Sequence, residues 1–384
     1  MKSPEGFIER LGASPKILLI RLRSLGDVVL MTPLAESIRR TCPGAQIDVA
    51  VEFPFNEVLA GNPFIRRSIT LQSKKNPHST NSPSVGQPGR ESSLLRRQAI
   101  WNFRQEKYDV VWNLHGGATS AWMCGLSGGR WRIGCTQFRN RWAYNLRVPD
   151  SRDLLPRPHH TVERLLLWWD WLRGVHRTDF SDDPSPQVFP QAEPRRTART
   201  KMHQAGLDPD RPYVVIQAAA VFATKEWMAD RFATVADFLS AKEFQIALTG
   251  SSGETSKLRA VQSRMKNHAA LLSNLGVQEL IAVLEKASLY LGNDSGPAHI
   301  AAALKRPTVV LFGSSNSAAW APWHAPSVIV QNHFECNPCP GYKCLVYNEP
   351  ECIKSITVPQ VQAAVLKLLF PNREESIHAE AVRS

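Results

Sequence analysis

ASLYLGNDSGPAHIAAALKRPTVVLFG, residues 287–313, is the stretch on which the fold turns. An apolar run ends in Gly-Asn-Asp. Ser-Gly-Pro then opens a helix-forming segment, and a second apolar run follows at PTVVLFG. Strand, helix and strand in this succession predict a parallel βαβ unit. Ser295 stands where an N-cap is wanted, and Pro297 suits the first helical turn. Gly296 permits close backbone approach. The amides around Ser295, Gly296 and Ala298 would then point at the C-terminal edge of the strands, a ready place for a diphosphate. Asp294 beside that anion site suits sugar hydroxyls, and His299 closes the motif. An ordinary capped helix is the simpler reading of the same residues.

The alternation spreads outward from there. PYVVIQ (212–217) and FQIALTG (244–250) read as strands, each followed by a helix. The first half repeats the pattern with KILLIRLR (16–23), QIDVAVE (46–52), SITL (68–71), YDVVWNL (108–114) and RWRIGC (130–135). TVERLLLWWDWLRGV (161–175) is a strong amphipathic helix. Residues 178–197 carry four prolines and read as a connector. Two α/β, Rossmann-like domains with parallel sheets are expected, spanning 1–190 and 191–357, with a cleft between them. Ligands of such sheets bind at the C-terminal ends of the strands. The apolar helix at 358–370 is expected to cross back to the first domain, with a polar tail to residue 384. Residues 73–93, SKKNPHSTNSPSVGQPGRESS, have almost no apolar content and read as a flexible insertion.

The 384-residue chain carries a formal net charge of +12. That balance favours an anionic partner: a phosphorylated substrate, an anionic membrane face or nucleic acid. Seven arginines with no intervening lysine fall between residues 130 and 157, among them Arg130, Arg132, Arg139 and Arg141. Arginine's planar fork suits phosphate and carboxylate; a solvated basic face is the alternative. Nothing matches a nucleic-acid-binding motif, which leaves such a protein as the non-enzyme rival. No apolar run approaches the length of a membrane span, and no secretory signal is read at the N-terminus. A cytoplasmic protein is expected.

Further site candidates lie at predicted strand ends. Thr224-Lys225-Glu226-Trp227 follows PYVVIQ, which places Lys225 to meet a phosphate. In LTGSSGETSK (248–257), Gly250 loosens the loop and Glu254 opens the next helix. An acid there can bind ribose hydroxyls, or it can simply complement the helix dipole. The loop lacks a Walker A lysine, so an NTPase is not read. In SLGDVV, Asp27 is either an N-cap or a general base for an acceptor hydroxyl. His115 sits at another strand end of the same domain. Cys336, Cys339, Cys344 and Cys352 form a cluster that admits a structural metal site or reduced, unliganded thiols.

These motifs, in this order, resemble glycosyltransferase family 9, the lipopolysaccharide heptosyltransferases. The carrying stretches are ILLIRLRSLGDVVLMTPLAESIRRTCPGAQIDV, His160-Thr161-Val162-Glu163-Arg164, KEW with DRFATVADFL, LTGSSGE, NDSGPAHIAAALKRPTVVLFG and WAPW (320–323). Gln217-Ala218-Ala219-Ala220 departs from the family's usual His-Pro-Gly-like turn, and the K-x-W loop looks more like the type III branch. The resemblance implies a GT-B fold of two facing Rossmann domains. It also implies inverting, metal-independent transfer of heptose from ADP-heptose, without a cofactor. In that scheme Asp27 is the base, Lys225 binds phosphate, Glu254 the ribose and Asp294 the donor sugar. The acceptor would be the inner-core saccharide on lipid A. This anionic glycolipid would be met by Arg130, Arg132, Arg139, Arg141 and His115 at the cytoplasmic face of the inner membrane. A related GT-B enzyme that transfers or epimerises a UDP-sugar is the alternative.

Overall fold

A computed structural model describes residues 4–72, 88–339 and 342–371. The chain divides into two units, residues 1–189 and 190–384. Each is built on a six-stranded sheet in which every pairing is parallel.

The first sheet comprises β1 (Lys16–Ile20), β2 (Gln46–Glu52), β3 (Arg67–Leu71), β4 (Val110–Asn113), β5 (Trp131–Cys135) and β6 (Leu146–Val148), ordered β3-β2-β1-β4-β5-β6. The second comprises β7 (Tyr213–Gln217), β8 (Gln245–Thr249), β9 (Ala270–Leu272), β10 (Leu289–Asn293), β11 (Thr308–Leu311) and β12 (Ser327–Val330), ordered β12-β11-β10-β7-β8-β9. Read from its other edge, the second order repeats the first. Both are the doubly wound Rossmann arrangement, whose strand order reverses between β1 and β4 and between β7 and β10. Helix crossovers diverge at these two points and leave a crevice at the C-terminal strand ends. The central strands read as unbroken apolar runs because helices cover both faces; Leu18, Leu19, Ile20, Val214, Val215 and Ile216 are wholly buried.

Two boundaries differ from the sequence expectation. The helix Val358–Leu369 packs against β10, β11, β12 and the helix Ala229–Ser240. Val361, Ala364 and Val365 belong to the second unit's core with Val309 and Leu311, whereas the sequence pattern predicted a helix crossing back to the first domain. Without this helix one face of β11 and β12 would lose its apolar cover. Of the expected insertion, residues 73–87 lie outside the described residues, while 88–93 open the helix Pro88–Glu106. Proline is tolerated there because the first amides of a helix have no intrahelical acceptor. Among the described residues no helix is long and apolar enough to cross a membrane.

Candidate active site

In the second unit, the loop leaving β7 is pinned from three sides. Asn293, the buried last residue of β10, accepts a hydrogen bond from the Trp227 amide (3.1 Å) and donates one to the Ala218 carbonyl (2.7 Å). The Trp227 indole is buried and donates to the Ile356 carbonyl at 2.9 Å. Beyond β11, Ser314 donates its amide to the Thr224 carbonyl (3.3 Å) and its hydroxyl to Thr224 Oγ1 (3.1 Å). Gly313 makes this approach possible, since a Cβ there would lie 2.3 Å from the Thr224 oxygen. The loop so fixed carries Lys225, whose Nζ donates to Asp294 Oδ2 at 2.7 Å. Asp294 is buried, with 8% of its surface exposed. Two residues read separately from the sequence thus form one ion pair at the switch point of the second sheet.

Ser295 occupies the N-cap position of the helix Gly296–Ala303, but its hydroxyl does not cap the helix; it lies 3.4 Å from the Tyr290 hydroxyl. The helix N-terminus beside Asp294 therefore has no side-chain cap, which keeps its dipole free to act on an anion. The Ala298 amide, one of the expected phosphate donors, is already given to the Ser295 carbonyl (3.2 Å). Pro297 lies in the first turn, and His299 is buried in the helix. Glu254 serves as a cap: its Oε2 accepts from the Ser251 amide (2.7 Å) and hydroxyl (2.9 Å), just after Gly250. Lys257, for which the sequence suggested no role, reaches the Ala220 carbonyl (3.0 Å) and pairs with Glu226. That link fastens the β8 loop to the β7 loop.

In the first unit, Asp27 lies in the opening turn of the helix Leu25–Leu30 at the end of β1. Ser24, not Asp27, is the N-cap; Asp27 is the third helical residue of a capping box, and its Oδ2 accepts from the Ser24 amide (2.9 Å) and hydroxyl (3.1 Å). Its Oδ1 is held by Arg21, which also donates to the Leu114 carbonyl at the end of β4. Burial acts to raise the Asp27 carboxyl, but the Arg21 charge and the Ser24 hydrogen bonds outweigh it and hold the group below its ordinary value. His115 stands beside this pair. Burial, together with the charges of Arg21 and Arg23, pushes its imidazole down to about 4. Arg164, on the helix Thr161–Leu172, completes the group. Its Nε is buried with no hydrogen-bond partner, and its guanidinium lies 5.8 Å from the centre of the Trp168 ring. Burial and the Arg21 charge lower its basicity while Asp27 partly restores it. The sequence had marked Asp27 and His115 but not Arg21, and Arg164 only as a letter in a motif.

The other arginines are dispersed. Arg130 and Arg132 stand at the N-terminal start of β5, away from the strand ends that carry Asp27 and His115. Their guanidiniums donate to the backbone carbonyls of Arg10, Gly129 and Ala143. Arg139 and Arg141 are exposed on the segment joining β5 to β6. Cys336, Cys339, Cys344 and Cys352 line one small cavity together with Thr224 and Ser314. Burial pushes the Cys352 thiol up, and its neighbouring thiols add to this. Among the described residues no three His, Cys, Asp or Glu side chains are placed to hold a metal ion.

A profile of glycosyltransferase family 9 (heptosyltransferase) matches residues 96–348. Lipopolysaccharide heptosyltransferase 3 of Escherichia coli is 29% identical over 311 residues, covering 79% of this chain and 84% of the relative. A solved glycosyl transferase family 9 structure from Veillonella parvula superposes with a TM-score of 0.76 at 21% identity, over 93% of this chain and 97% of that one. The structure of E. coli ADP-heptose LPS heptosyltransferase II gives 0.72 at 19% identity, over 93% and 99%.

Proposed function

The chain belongs to glycosyltransferase family 9, and from that premise we propose that it transfers heptose from ADP-heptose to the inner core of lipopolysaccharide. It is an enzyme of the glycosyltransferase class with two Rossmann-type units, as in the GT-B fold. The observation that carries the proposal is the Lys225–Asp294 pair beside an uncapped helix N-terminus. A nucleotide-sugar presents a diphosphate next to sugar hydroxyls. The pair and the helix offer a cation, a positive dipole end and a carboxylate in that same neighbourhood.

In the proposed reaction, the acceptor hydroxyl attacks the anomeric carbon in one displacement that inverts its configuration. ADP departs with both electrons of the broken C–O bond. Lys225 and the Gly296 amide at the start of the Gly296–Ala303 helix stabilise the charge that builds on the leaving oxygen. Asp294 accepts from heptose hydroxyls as Lys225 turns toward phosphate, and Glu254 offers its second carboxylate oxygen to the ribose. Asp27 takes the acceptor's proton. A carboxylate has about four lone-pair sites, and Ser24 and Arg21 occupy three of those on Asp27. The remaining one on Oδ1 is the acceptor's. The scheme assigns no step to a metal or cofactor. His115, just after β4, and Arg164, on the helix Thr161–Leu172, would face the acceptor beside Asp27.

A donor panel of ADP-heptose and UDP-sugars with truncated lipopolysaccharides tests this reading. Transfer from ADP-heptose alone, with inverted anomeric configuration in the product, is expected. Transfer or epimerisation of a UDP-sugar, with none of ADP-heptose, would overturn it.

A further inference from the structure

We infer that the cavity at the C-terminal ends of β11 and β12 is a subsite for one neutral sugar ring. The cavity measures about 310 Å³, at the small end of ligand pockets, which run from about 300 to 1,000 Å³. Its walls are tied together by side-chain amides. Gln331, just after β12, donates to the Gly313 carbonyl (3.2 Å) and the Ser315 carbonyl (3.0 Å) and accepts from the Ser317 hydroxyl (2.6 Å). Asn337 donates to the same Gly313 carbonyl at 2.9 Å. These bonds hold the segment leaving β11 against the segment leaving β12.

The groups left over define the ligand. Asn316 and His333 line the cavity, are exposed, and make no side-chain hydrogen bond among the described residues. Asn337 Oδ1 is buried without a partner, whereas buried polar atoms are nearly always satisfied. Amides and an imidazole both donate and accept, as sugar hydroxyls do. None of the nine lining residues is Asp, Glu, Lys or Arg, so a phosphate or a sugar acid finds no counter-charge. Phe334 and Pro338 add an apolar wall for the C–H groups of a ring. Phe334 is itself held edge-on by Tyr347, with ring centres 6.0 Å apart. A wholly apolar occupant would leave the amides unpaired.

The place in the sheet says which ring. In the function proposed above, ribose lies at the end of β8, phosphate at β7 and the transferred sugar at β10. β11 and β12 are the next strands in that line. Neighbouring strands are about 4.8 Å apart, so two strand ends offer the breadth of one ring. The backbone joins the two places directly. Asp294 gives its amide to the Leu311 carbonyl (3.0 Å), and Ser314 gives its amide to the Thr224 carbonyl (3.3 Å). The ring held here is therefore the one beyond the transferred sugar, a neutral unit of the acceptor saccharide. This last step rests on the proposed function; the sugar site itself does not.

The experiment is saturation-transfer NMR of the full chain with a methyl heptopyranoside, and with the methyl glycoside of an ulosonic acid as the charged comparison. Saturation transfer to the heptoside is expected, with the ulosonic acid glycoside bound about tenfold more weakly. Asn316→Ala/His333→Ala should weaken the heptoside about tenfold through lost hydrogen bonds. The melting temperature and ADP affinity of that variant should match the wild type. A heptoside that does not bind the wild type, or binds the variant equally well, would overturn the subsite. Equal binding of the ulosonic acid glycoside would overturn its neutral character. Loss of ADP affinity in the variant would give the cavity to the nucleotide instead. Turnover is not measured, so each of these failures leaves the transferase reading standing.

Discussion

Asp27→Asn separates two jobs that the structure gives to one carboxylate. Asparagine retains an amide oxygen that can accept from the Ser24 amide and hydroxyl as Asp27 Oδ2 does, so the start of the Leu25–Leu30 helix keeps those hydrogen bonds. What is lost is the negative charge opposite Arg21. The two side chains are only 11% and 16% exposed. Breaking a fully buried pair costs roughly 3–5 kcal/mol because the surviving charge is stranded. The residual exposure here puts the cost nearer about 2–3 kcal/mol. For a unit of this size that is a fall in melting temperature of about 4–12 °C. Turnover with ADP-heptose should fall by roughly 10²–10⁴-fold, the worth of a positioned base, with ADP affinity unchanged. The acid side follows from the pKa direction. The folded carboxyl is held below its ordinary value, so its contribution to stability is present above the unfolded pKa of about 3.9 and is lost as pH falls through the folded value. Scanning calorimetry and single-turnover kinetics, both run well below the variant's melting temperature, report the two effects separately. Near-wild-type turnover by folded Asp27→Asn would end the base assignment. An unchanged melting temperature would show that the Arg21 pair contributes nothing.

Three further outcomes are expected. Lys225→Ala removes a charge-assisted bond worth roughly 1.5–3 kcal/mol and should weaken ADP binding in titration calorimetry about 10- to 100-fold; unchanged affinity would mean that Lys225 serves Asp294 alone. Arg164→Met exchanges a half-buried guanidinium whose Nε lacks a hydrogen bond for an apolar side chain of similar length. It should leave the melting temperature unchanged or higher while raising acceptor KM, and a lower melting temperature would make Arg164 a structural residue. His115, held down to about 4 in the fold, stays neutral there while the unfolded chain takes up a proton below about 6.5. Stability should thus drop by about 3 kcal/mol as pH falls from 6.5 to 4, a slope in urea midpoints that His115→Gln should flatten.

The sheets were legible because their central strands are buried on both faces. LLI, VAV, VVW and VVI have no polar interruption that periodicity could mistake for a helix. What escaped were β6, β9 and β12, strands of three or four residues. β9 and β12 close the second sheet and β6 the first. An edge strand gains hydrogen bonds from one side only and is buried over fewer positions, so its composition is weakly constrained and its signal short. The final helix was misplaced for a related reason. Its apolar stripe announces that it must be covered but does not say by which sheet.

The site was legible by a different rule, and the rule explains its gaps. In a parallel sheet every strand points its C-terminal end to the same edge, so each residue just after a strand can be assigned to that edge from sequence order alone. Asp27, His115, Lys225, Glu254 and Asp294, the candidates, were all assigned to such an edge this way. The rule is silent on which of them touch. Lys225 and Asp294 are 69 positions apart and meet because β7 and β10 are neighbours at the switch point, a fact of strand order that no local pattern carries. Arg164 is the harder case. It enters from a helix whose other side chains are nearly all buried, where a lone arginine reads as the solvent-facing residue of an amphipathic pattern. Only the burial of its Nε beside Arg21 and Asp27 distinguishes it from a surface charge. A guanidinium nitrogen kept out of water without a hydrogen bond costs about 1–3 kcal/mol. The chain tolerates that cost at the one edge where an anionic acceptor would supply the missing partner.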